Sequence, residues 1–238
     1  ASFAGVWVDS RYWEQAEKEL AGSGIELMKL LPGKPGALEW LGDNVAAEGV
    51  VAVDGAVMAL ASARQLEERL RVKAVRLITD RDFLAEVWEG RPALPDNPVY
   101  QHLPPHATVS RAEKLALLRR AMAQKGAEWH FIATLDDIAW LFNLRGSDVS
   151  YNPVFVSFAL IGQAQALLFV GAGKVDEHLC HVLSVDGIEV RDYTQVHQGL
   201  AALPPGSTLL VDPARVTCGL LKHLDEQVQL IEGLNPTT

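Results

Sequence analysis

The stretch TLDDIAWLFNLRGSD (134–148) has the residue types that acid–base chemistry requires. It contains adjacent carboxylates at Asp136 and Asp137, followed by Arg145 and Asp148 on either side of a glycine. Carboxylates can transfer protons, and an arginine can bind an anionic group. Whether these residues form a catalytic set depends on the local structure that the same stretch predicts.

That local structure accounts for the charges without any chemistry. A helix that begins at Thr134 would place its apolar residues on one face. Thr134 and Asp137 would then form a capping box, and acidic residues in a first turn interact favourably with the helix dipole. Arg145 and Asp148 would form an ion pair across the glycine turn. We therefore predict that these charged residues are structural.

Other motifs match ligand-binding sequences only in part. GAGKV (171–175) approaches a phosphate loop, but Leu168 stands where the first glycine is needed and Val175 replaces the Ser or Thr that would hold magnesium. We predict a hairpin turn there. EHLCH (177–181) offers His178, Cys180 and His181 but lacks a second ligand cluster, so a partly exposed helix is predicted.

No motif for catalysis or cofactor binding emerges elsewhere. No GxGxxG follows a strand, no GxSxG occurs, and neither cysteine stands in a recognisable Cys–His motif. The sequence therefore predicts neither a catalytic residue nor a metal ligand nor a bound cofactor in this chain.

Composition narrows the class of protein. Hydrophobic residues make up 49% and charged residues 21% of the 238 residues, as in ordinary globular proteins. The net charge of −9 argues against a nucleic-acid partner, which would need clustered Lys and Arg. Two cysteines, Cys180 and Cys218, are too few for a disulfide framework and favour a reducing compartment. No apolar run is long enough for a membrane helix.

Strand-like and helix-like segments alternate along residues 4–90, beginning with the strand AGVWVD and the helix SRYWEQAEKELAGSG. A proline-rich segment (91–109) then reads as an extended crossing segment. Ser110 and Glu113 fit a capping box that opens a second series of helices and strands. We predict an α/β fold with two domains, residues 1–106 and 107–238, each a mixed sheet flanked by helices.

Several segments of the chain resemble segments of the large cytosolic Xaa-Pro aminopeptidases, also called aminopeptidase P. The matching segments follow one another in the same order as in that family. LDDIAWLFNLRGSDVSYNPVFVSFALI (135–161) is similar to their middle domain, and VWVDSRYWEQAEKEL (6–20) to a WTDGRYFLQAEKQL segment in their first domain. LAEVWEGRPALPDNPVY is similar to their crossing segment, and LMKL (27–30) also fits. The likeness runs from residue 6 to about 161 and weakens towards the end.

The resemblance implies two creatinase-like N-terminal domains, the first N-terminally incomplete, without the pita-bread catalytic domain. In the family that third domain binds two metal ions, usually manganese. The implied activity of the whole enzyme is removal of the N-terminal residue from peptides that carry proline at the second position. The implied partners are such a peptide, the chain's own C-terminal catalytic domain and, as an alternative left open, a second copy in a homodimer. The implied location is the cytoplasm, and the fragment alone is expected to be inactive.

One site residue follows from the resemblance. The arginine of the family's DGRYF segment binds the peptide substrate, and it matches Arg11 of DSRYW here. A guanidinium suits a peptide carboxylate or carbonyl groups. Ser10 and Trp13 depart from the family pattern and could shift the turn. The simpler alternative is a solvated first-turn arginine.

A second function stays open. Creatinase-like N-terminal domains also occur in a histone chaperone subunit that keeps the fold without the chemistry. The chain could therefore be a noncatalytic protein-binding module. Creatinase itself is a weaker third option because it has a single such domain.

Overall fold

The computed structural model describes residues 3–237. They form two compact units that are described separately below. Unit 1 comprises residues 3–53 and 62–78, and unit 2 comprises residues 54–61 and 79–237. Residues 79–106, which the sequence placed in the first domain, group with unit 2 in the structure. The boundary between two independent domains at residues 106 and 107 stays a prediction.

Unit 1 alternates strands and helices, as the sequence pattern predicted. Its elements are β1 (Gly5–Val8), a 3₁₀ turn (Ser10–Tyr12), α1 (Trp13–Glu19), β2 (Glu26–Lys29), α2 (Ala37–Asn44), β3 (Val50–Ala52), α3 (Leu60–Arg71, which begins in unit 2) and β4 (Arg76–Ile78). β1 pairs in parallel with β2, and β3 pairs in parallel with β4. These are two separate two-stranded sheets.

The buried side chains of unit 1 are few and centre on α3. Leu66 and Leu70 lie one turn apart on this helix and are fully buried. An aromatic group adds to the packing: Phe3 stacks on Trp40 with ring centres 4.5 Å apart, and Trp7 lies 5.6 Å from Trp40. Leu66, Leu70 and the three rings thus form the main apolar contacts of unit 1.

Unit 2 contains the larger sheet. Its helices are α4 (Phe83–Val87), α5 (Arg111–Gln124), α6 (Leu135–Leu141), α7 (Glu177–Val185), α8 (Val196–Ala201) and α9 (Cys218–Leu221). Its strands are β5 (Tyr100–Gln101), β6 (Trp129–Ile132), β7 (Leu144–Arg145), β8 (Ser157–Gly162), β9 (Ala166–Val170), β10 (Ile188–Asp192), β11 (Thr208–Val211) and β12 (Gln229–Glu232). The six-stranded sheet has the order β10-β9-β8-β6-β11-β12, and β8 runs antiparallel to both of its neighbours.

The sheet of unit 2 is covered on both faces. Every residue of β9 is buried, which is typical of a strand with helices on either side. Two apolar cores result, one around Phe142 and Phe155 and the other around Phe131 and Phe169. The predicted mixed α/β fold is confirmed, and β8 and β9 form the predicted hairpin, whose turn begins at Gly162.

Local signals predicted the start of α5 correctly. The Ser110 hydroxyl accepts from the backbone N–H of Glu113 at 3.2 Å, and the Glu113 carboxylate accepts from the backbone N–H of Ser110 at 2.9 Å. The proline-rich crossing segment contains little regular structure apart from β5. Within residues 3–237, no helix is both long and apolar enough to cross a membrane.

Candidate functional site

Arg11 lies where β1 of unit 1 turns into the following helix. The Asp9 carboxylate caps the 3₁₀ turn by accepting from the Arg11 backbone N–H at 3.0 Å. An aspartate is well suited to this position because its short side chain reaches the free N–H groups of the next turn. This cap fixes the backbone that carries Arg11.

Asp9 also orients the Arg11 side chain. Nε of Arg11 donates to Oδ1 of Asp9 at 3.0 Å, and Nη2 donates to Oδ2 at 2.8 Å, so the pair is bidentate. The guanidinium lies 5.6 Å from the centre of the Tyr12 ring. The Arg11 side chain is 78% exposed, and its Nη1 group has no hydrogen-bond partner among the described residues. The guanidinium is therefore held on one side and open to a ligand on the other.

Both members of this pair stay charged across the physiological pH range. Hydrogen bonds from Arg11 lower the pKa of Asp9 from 3.8 to about 2. The same hydrogen bonds raise the pKa of Arg11 above its ordinary value. Because the pair is exposed, its attraction contributes little to stability, and its main consequence is orientation.

The acidic start of α6 in unit 2 differs in detail from the prediction. Asp136 is exposed, but Asp137 is buried. Thr134 is the N-cap residue, yet its hydroxyl donates to the Asp137 carboxylate and caps no backbone N–H. The predicted capping box at Thr134 is therefore wrong, because Asp137 turns towards Asn235, whose Nδ2 donates to Asp137 Oδ2 at 2.7 Å.

The predicted ion pair between Arg145 and Asp148 is also wrong. Nη1 of Arg145 donates to the backbone carbonyls of Ala139 and Leu144, each at 2.8 Å. Asp148 instead forms an ion pair with Lys174, and both side chains are almost completely buried. Oδ2 of Asp148 also accepts from the backbone N–H of Val156 at 2.6 Å. Buried carboxylates need a partner of opposite charge, and Lys174 supplies it.

Lys174 belongs to GAGKV, the partial phosphate-loop motif. The predicted hairpin turn there is wrong, because the segment joins β9 to α7. Nζ of Lys174 donates to the Pro95 carbonyl at 3.1 Å in addition to its contact with Asp148. A lysine buried in this way cannot reach a phosphate in solvent, so the motif is structural.

The histidines of EHLCH lie on α7 as predicted. His178 and His181 are exposed, and Cys180 is partly buried. Within the part of the chain that the structure describes, no group of three or more His, Cys, Asp or Glu side chains is placed to hold a metal ion. The described residues therefore offer no ligand set for a dinuclear metal centre.

Sequence patterns missed two buried polar groups in unit 2. Lys114 donates to Asn143 Oδ1 at 2.5 Å and to the Trp140 carbonyl at 2.7 Å. His130 is completely buried, with Nδ1 2.9 Å from the Leu210 carbonyl and Nε2 2.9 Å from Asn235 Oδ1. The partners lie far apart in sequence, so no local motif indicated them.

Comparison of the fold with solved structures places the chain in a structural class. The X-prolyl aminopeptidase from Caenorhabditis elegans, described as a cytosolic enzyme with a di-nuclear active site, matches 98% of this chain with a TM-score of 0.88. The match covers 39% of that chain at 22% sequence identity. At this identity the likeness shows the fold, which this chain shares with the matched part of that enzyme.

Residues 90–238 match the family model of the Creatinase/Prolidase N-terminal domain. The chain therefore belongs to the creatinase/prolidase N-terminal domain family. Aminopeptidase P2 of Arabidopsis thaliana is 35% identical over 222 residues, which cover 92% of this chain and 31% of that protein. A probable Xaa-Pro aminopeptidase P of Leptosphaeria maculans is 33% identical over 201 residues, which cover 84% of this chain and 33% of that protein. The chain thus spans about a third of the length of these relatives.

Proposed function

We propose that this chain is the noncatalytic N-terminal part of an Xaa-Pro aminopeptidase. Such an enzyme would remove the first residue from peptides that carry proline at the second position. The likeness of 92% of the chain to a protein named aminopeptidase P2 carries this proposal. A dedicated enzyme is chemically reasonable, because proline forms a tertiary amide without an N–H.

The chemistry would reside in a following catalytic domain. That domain would bind two divalent metal ions, which we propose to be Mn²⁺. The described residues of this chain contain no suitable ligand cluster. The chain alone would be inactive. Its two units would restrict access to the active site and so favour short peptides. We also propose a cytoplasmic location, and a homodimer as one possible assembly.

Arg11 would be the residue of this chain that contacts the peptide. Its guanidinium is exposed, and Asp9 holds it from one side through two hydrogen bonds. The free edge can donate to a peptide carboxylate or carbonyl group without losing the contact with Asp9. Orienting the side chain in advance lowers the entropy that binding would otherwise cost.

The test uses the full-length parent protein with an Xaa-Pro tripeptide and Mn²⁺. Arg11→Ala should raise KM by about tenfold or more with kcat little changed, because a hydrogen bond to a charged group contributes about 1.5–3 kcal/mol. Arg11→Lys should recover part of the loss, since it restores the charge without the planar fork. Asp9→Asn should give an intermediate KM because the guanidinium would lose its orientation.

Arg71→Ala is the matched control, because Arg71 is an exposed arginine on α3 of the same unit. It should leave KM unchanged. An Arg11→Ala enzyme with the KM of the parent would refute the role of Arg11 while leaving the enzyme class intact. A parent protein that is inert with every divalent metal would instead favour the second candidate, a noncatalytic protein-binding module.

A further inference from the structure

Unit 2 contains a cleft that the proposed function does not use. Its volume is about 580 Å³, which is within the usual range for small-molecule sites. Phe158, Val196 and Leu220 supply apolar wall, and Tyr193 stacks on Phe158 with ring centres 5.0 Å apart. Two histidines, His197 and His223, also line it. All of the lining residues belong to unit 2.

The two histidines come together from different elements. His197 lies in the first turn of α8, and His223 follows the end of α9. Their ring centres are 4.3 Å apart, and the ring planes are inclined by 57°. Both residues are exposed, so solvent ions can reach the rings. Histidine is the most common metal ligand in proteins, and imidazole nitrogen suits Zn, Cu, Fe and Ni.

The charges around the pair favour a cation. Asp54 and Asp80 oppose each other across an isolated β-bridge, and both line the cleft. Asp82 also lines the cleft, but its carboxylate forms an ion pair with Arg91 at 2.6 Å. Lys222 is the one lysine among the described residues that line the cleft. Oδ1 of Asp54 accepts from the backbone N–H of Ala56 at 2.8 Å, and Oδ1 of Asp80 lies 3.9 Å from Nε of Arg81, so each carboxylate keeps a second oxygen that can attract a cation.

The spacing of the rings can be compared with metal coordination. A metal–nitrogen bond of about 2.0–2.1 Å places each ring centre roughly 3.2 Å from the ion. Two imidazoles at 90° around one ion would then have centres about 4.5 Å apart, against about 5.2 Å at a tetrahedral angle. The observed 4.3 Å is close to the 90° value. The distance between the ring centres is therefore compatible with both rings binding one ion.

We propose that His197 and His223 form a site for a single first-row transition-metal ion, held at adjacent coordination positions, with Asp54 and Asp80 supplying attraction from the cleft wall. Among the described residues no third ligand is placed beside the pair, so water fills the remaining positions. Right-angle geometry suits Cu²⁺ and Ni²⁺ better than tetrahedral Zn²⁺. The expected order of affinity is Cu²⁺ above Ni²⁺ and Zn²⁺, with Mn²⁺ weakest.

The test is calorimetric titration of this 238-residue chain with Cu²⁺ and with Ni²⁺ at neutral pH. His197→Ala and His223→Ala should each weaken binding at least about tenfold, and the double variant should retain only the background binding of the rest of the chain. The electron paramagnetic resonance spectrum of bound Cu²⁺ should show coupling to two imidazole nitrogens in the unmodified chain. Both histidines are exposed, so the variants are expected to fold, and thermal unfolding without metal checks this.

His178→Ala with His181→Ala is the matched control, because these exposed histidines lie three residues apart on α7. This control variant should bind the cleft ion as tightly as the unmodified chain. Asp54→Asn with Asp80→Asn should weaken Cu²⁺ binding by a few-fold, more so at low ionic strength. Equal affinity in the unmodified chain and the His197→Ala, His223→Ala double variant would overturn the proposal.

Discussion

Unit 1 and unit 2 share an alternation of strands and helices but bury very different sets of side chains. The completely buried phenylalanines of the chain all lie in unit 2: Phe131, Phe142, Phe155 and Phe169. Unit 1 has Leu66 and Leu70 as its largest completely buried residues. Its strands form isolated pairs, which are marginal without further packing, whereas unit 2 has a six-stranded sheet. The two units therefore differ in where their stability comes from.

The polar groups follow the same division. Unit 2 buries the Asp148–Lys174 pair and His130, and each requires a well-packed surrounding to be tolerated. Unit 1 carries its charged pairs on the surface, including Asp9 with Arg11. Exposure makes the guanidinium of a contact residue such as Arg11 accessible to a ligand. Regions with few buried side chains also open locally at a lower free-energy cost. The candidate contact residue, Arg11, therefore lies in the unit that buries fewer side chains.

The largest expected effect comes from breaking the buried ion pair of unit 2. Asp148→Ala should lower the free energy of unfolding by about 3–5 kcal/mol, because it leaves Lys174 charged and buried without a partner. Urea unfolding followed by tryptophan fluorescence measures the loss. The comparable exposed pair in unit 1 is Lys29 with Glu17, at 2.5 Å. Glu17→Ala should cost less than about 1 kcal/mol.

Replacing both members of the Asp148–Lys174 pair separates the effect of the unpaired charge from the effect of lost packing. Asp148→Leu with Lys174→Met should recover much of the stability, since apolar residues of similar volume avoid the desolvation penalty. A double variant as unstable as Asp148→Ala would mean that shape, and not charge, determines the loss.

The next largest effect concerns equivalent core deletions in the two units. Leu66→Ala on α3 and Leu209→Ala on β11 each remove a completely buried side chain, at a cost of about 2–5 kcal/mol. Native-state hydrogen exchange should show faster exchange in β3 and β4 for Leu66→Ala, with the amides of β8 and β9 unaffected. Leu209→Ala should accelerate exchange in the six-stranded sheet. Uniform acceleration across the chain in both variants would contradict separate stabilisation of the units.

A smaller effect is expected from the buried histidine of unit 2. Burial lowers the pKa of His130, although its hydrogen bonds to Asn235 and Leu210 and the charges of Asp137 and Asp212 act in the opposite direction. Well above pH 6.5, the ordinary pKa of histidine, the ring is neutral in both folded and unfolded chains. Below that pH the unfolded chain binds a proton more readily, so stability should fall by up to about 1.4 kcal/mol per pH unit.

Unfolding of the protein and of His130→Leu at pH 7.5 and 5.5 measures this dependence. His130→Leu should lose the part of the pH dependence of stability that His130 supplies. His197→Asn is the control that measures how much a second histidine contributes to the same dependence. Stability that rises as the pH falls from 7.5 to 5.5, and does so only while His130 is present, would mean that the hydrogen bonds outweigh burial and hold the ring protonated.

The smallest expected effect comes from helix capping. Ser110→Ala should destabilise the protein by about 1 kcal/mol, because the backbone N–H of Glu113 loses its acceptor. Ser184→Ala is the control: its hydroxyl donates to the His181 carbonyl at 2.9 Å within α7 and caps no helix start. It should change the free energy of unfolding by less than about 0.5 kcal/mol. Equal losses in the two variants would remove the special role of Ser110.

The start of α5 and the start of α6 show how far sequence reasoning reaches. At α5 the capping residues Ser110 and Glu113 are three positions apart, so the motif contains all of its partners. At α6 the same spacing at Thr134 predicted a cap that does not form, because Asp137 is drawn to Asn235, 98 residues later. Local patterns predict contacts correctly when no distant partner competes.

The candidate site shows the same limit. The resemblance around DSRYW drew attention to Arg11, and the cap by Asp9 is a contact between residues only two positions apart. His197 and His223 belong to no motif, and folding of α8 and α9 against the sheet brings them together. The sequence therefore contains a signal for the first residue and none for the pair.

By itself, the sequence determined the α/β alternation, the hairpin of β8 and β9, the membership of a known family and the absence of any familiar catalytic motif. Periodicity and short-range capping act between residues a few positions apart, so they can be read directly. Only the tertiary structure decided that Asp148 pairs with Lys174, that Asp137 faces Asn235 and that two histidines share a cleft. Buried charges and polar groups take whichever partner the packed fold places beside them, because leaving them unpaired in the interior costs too much free energy.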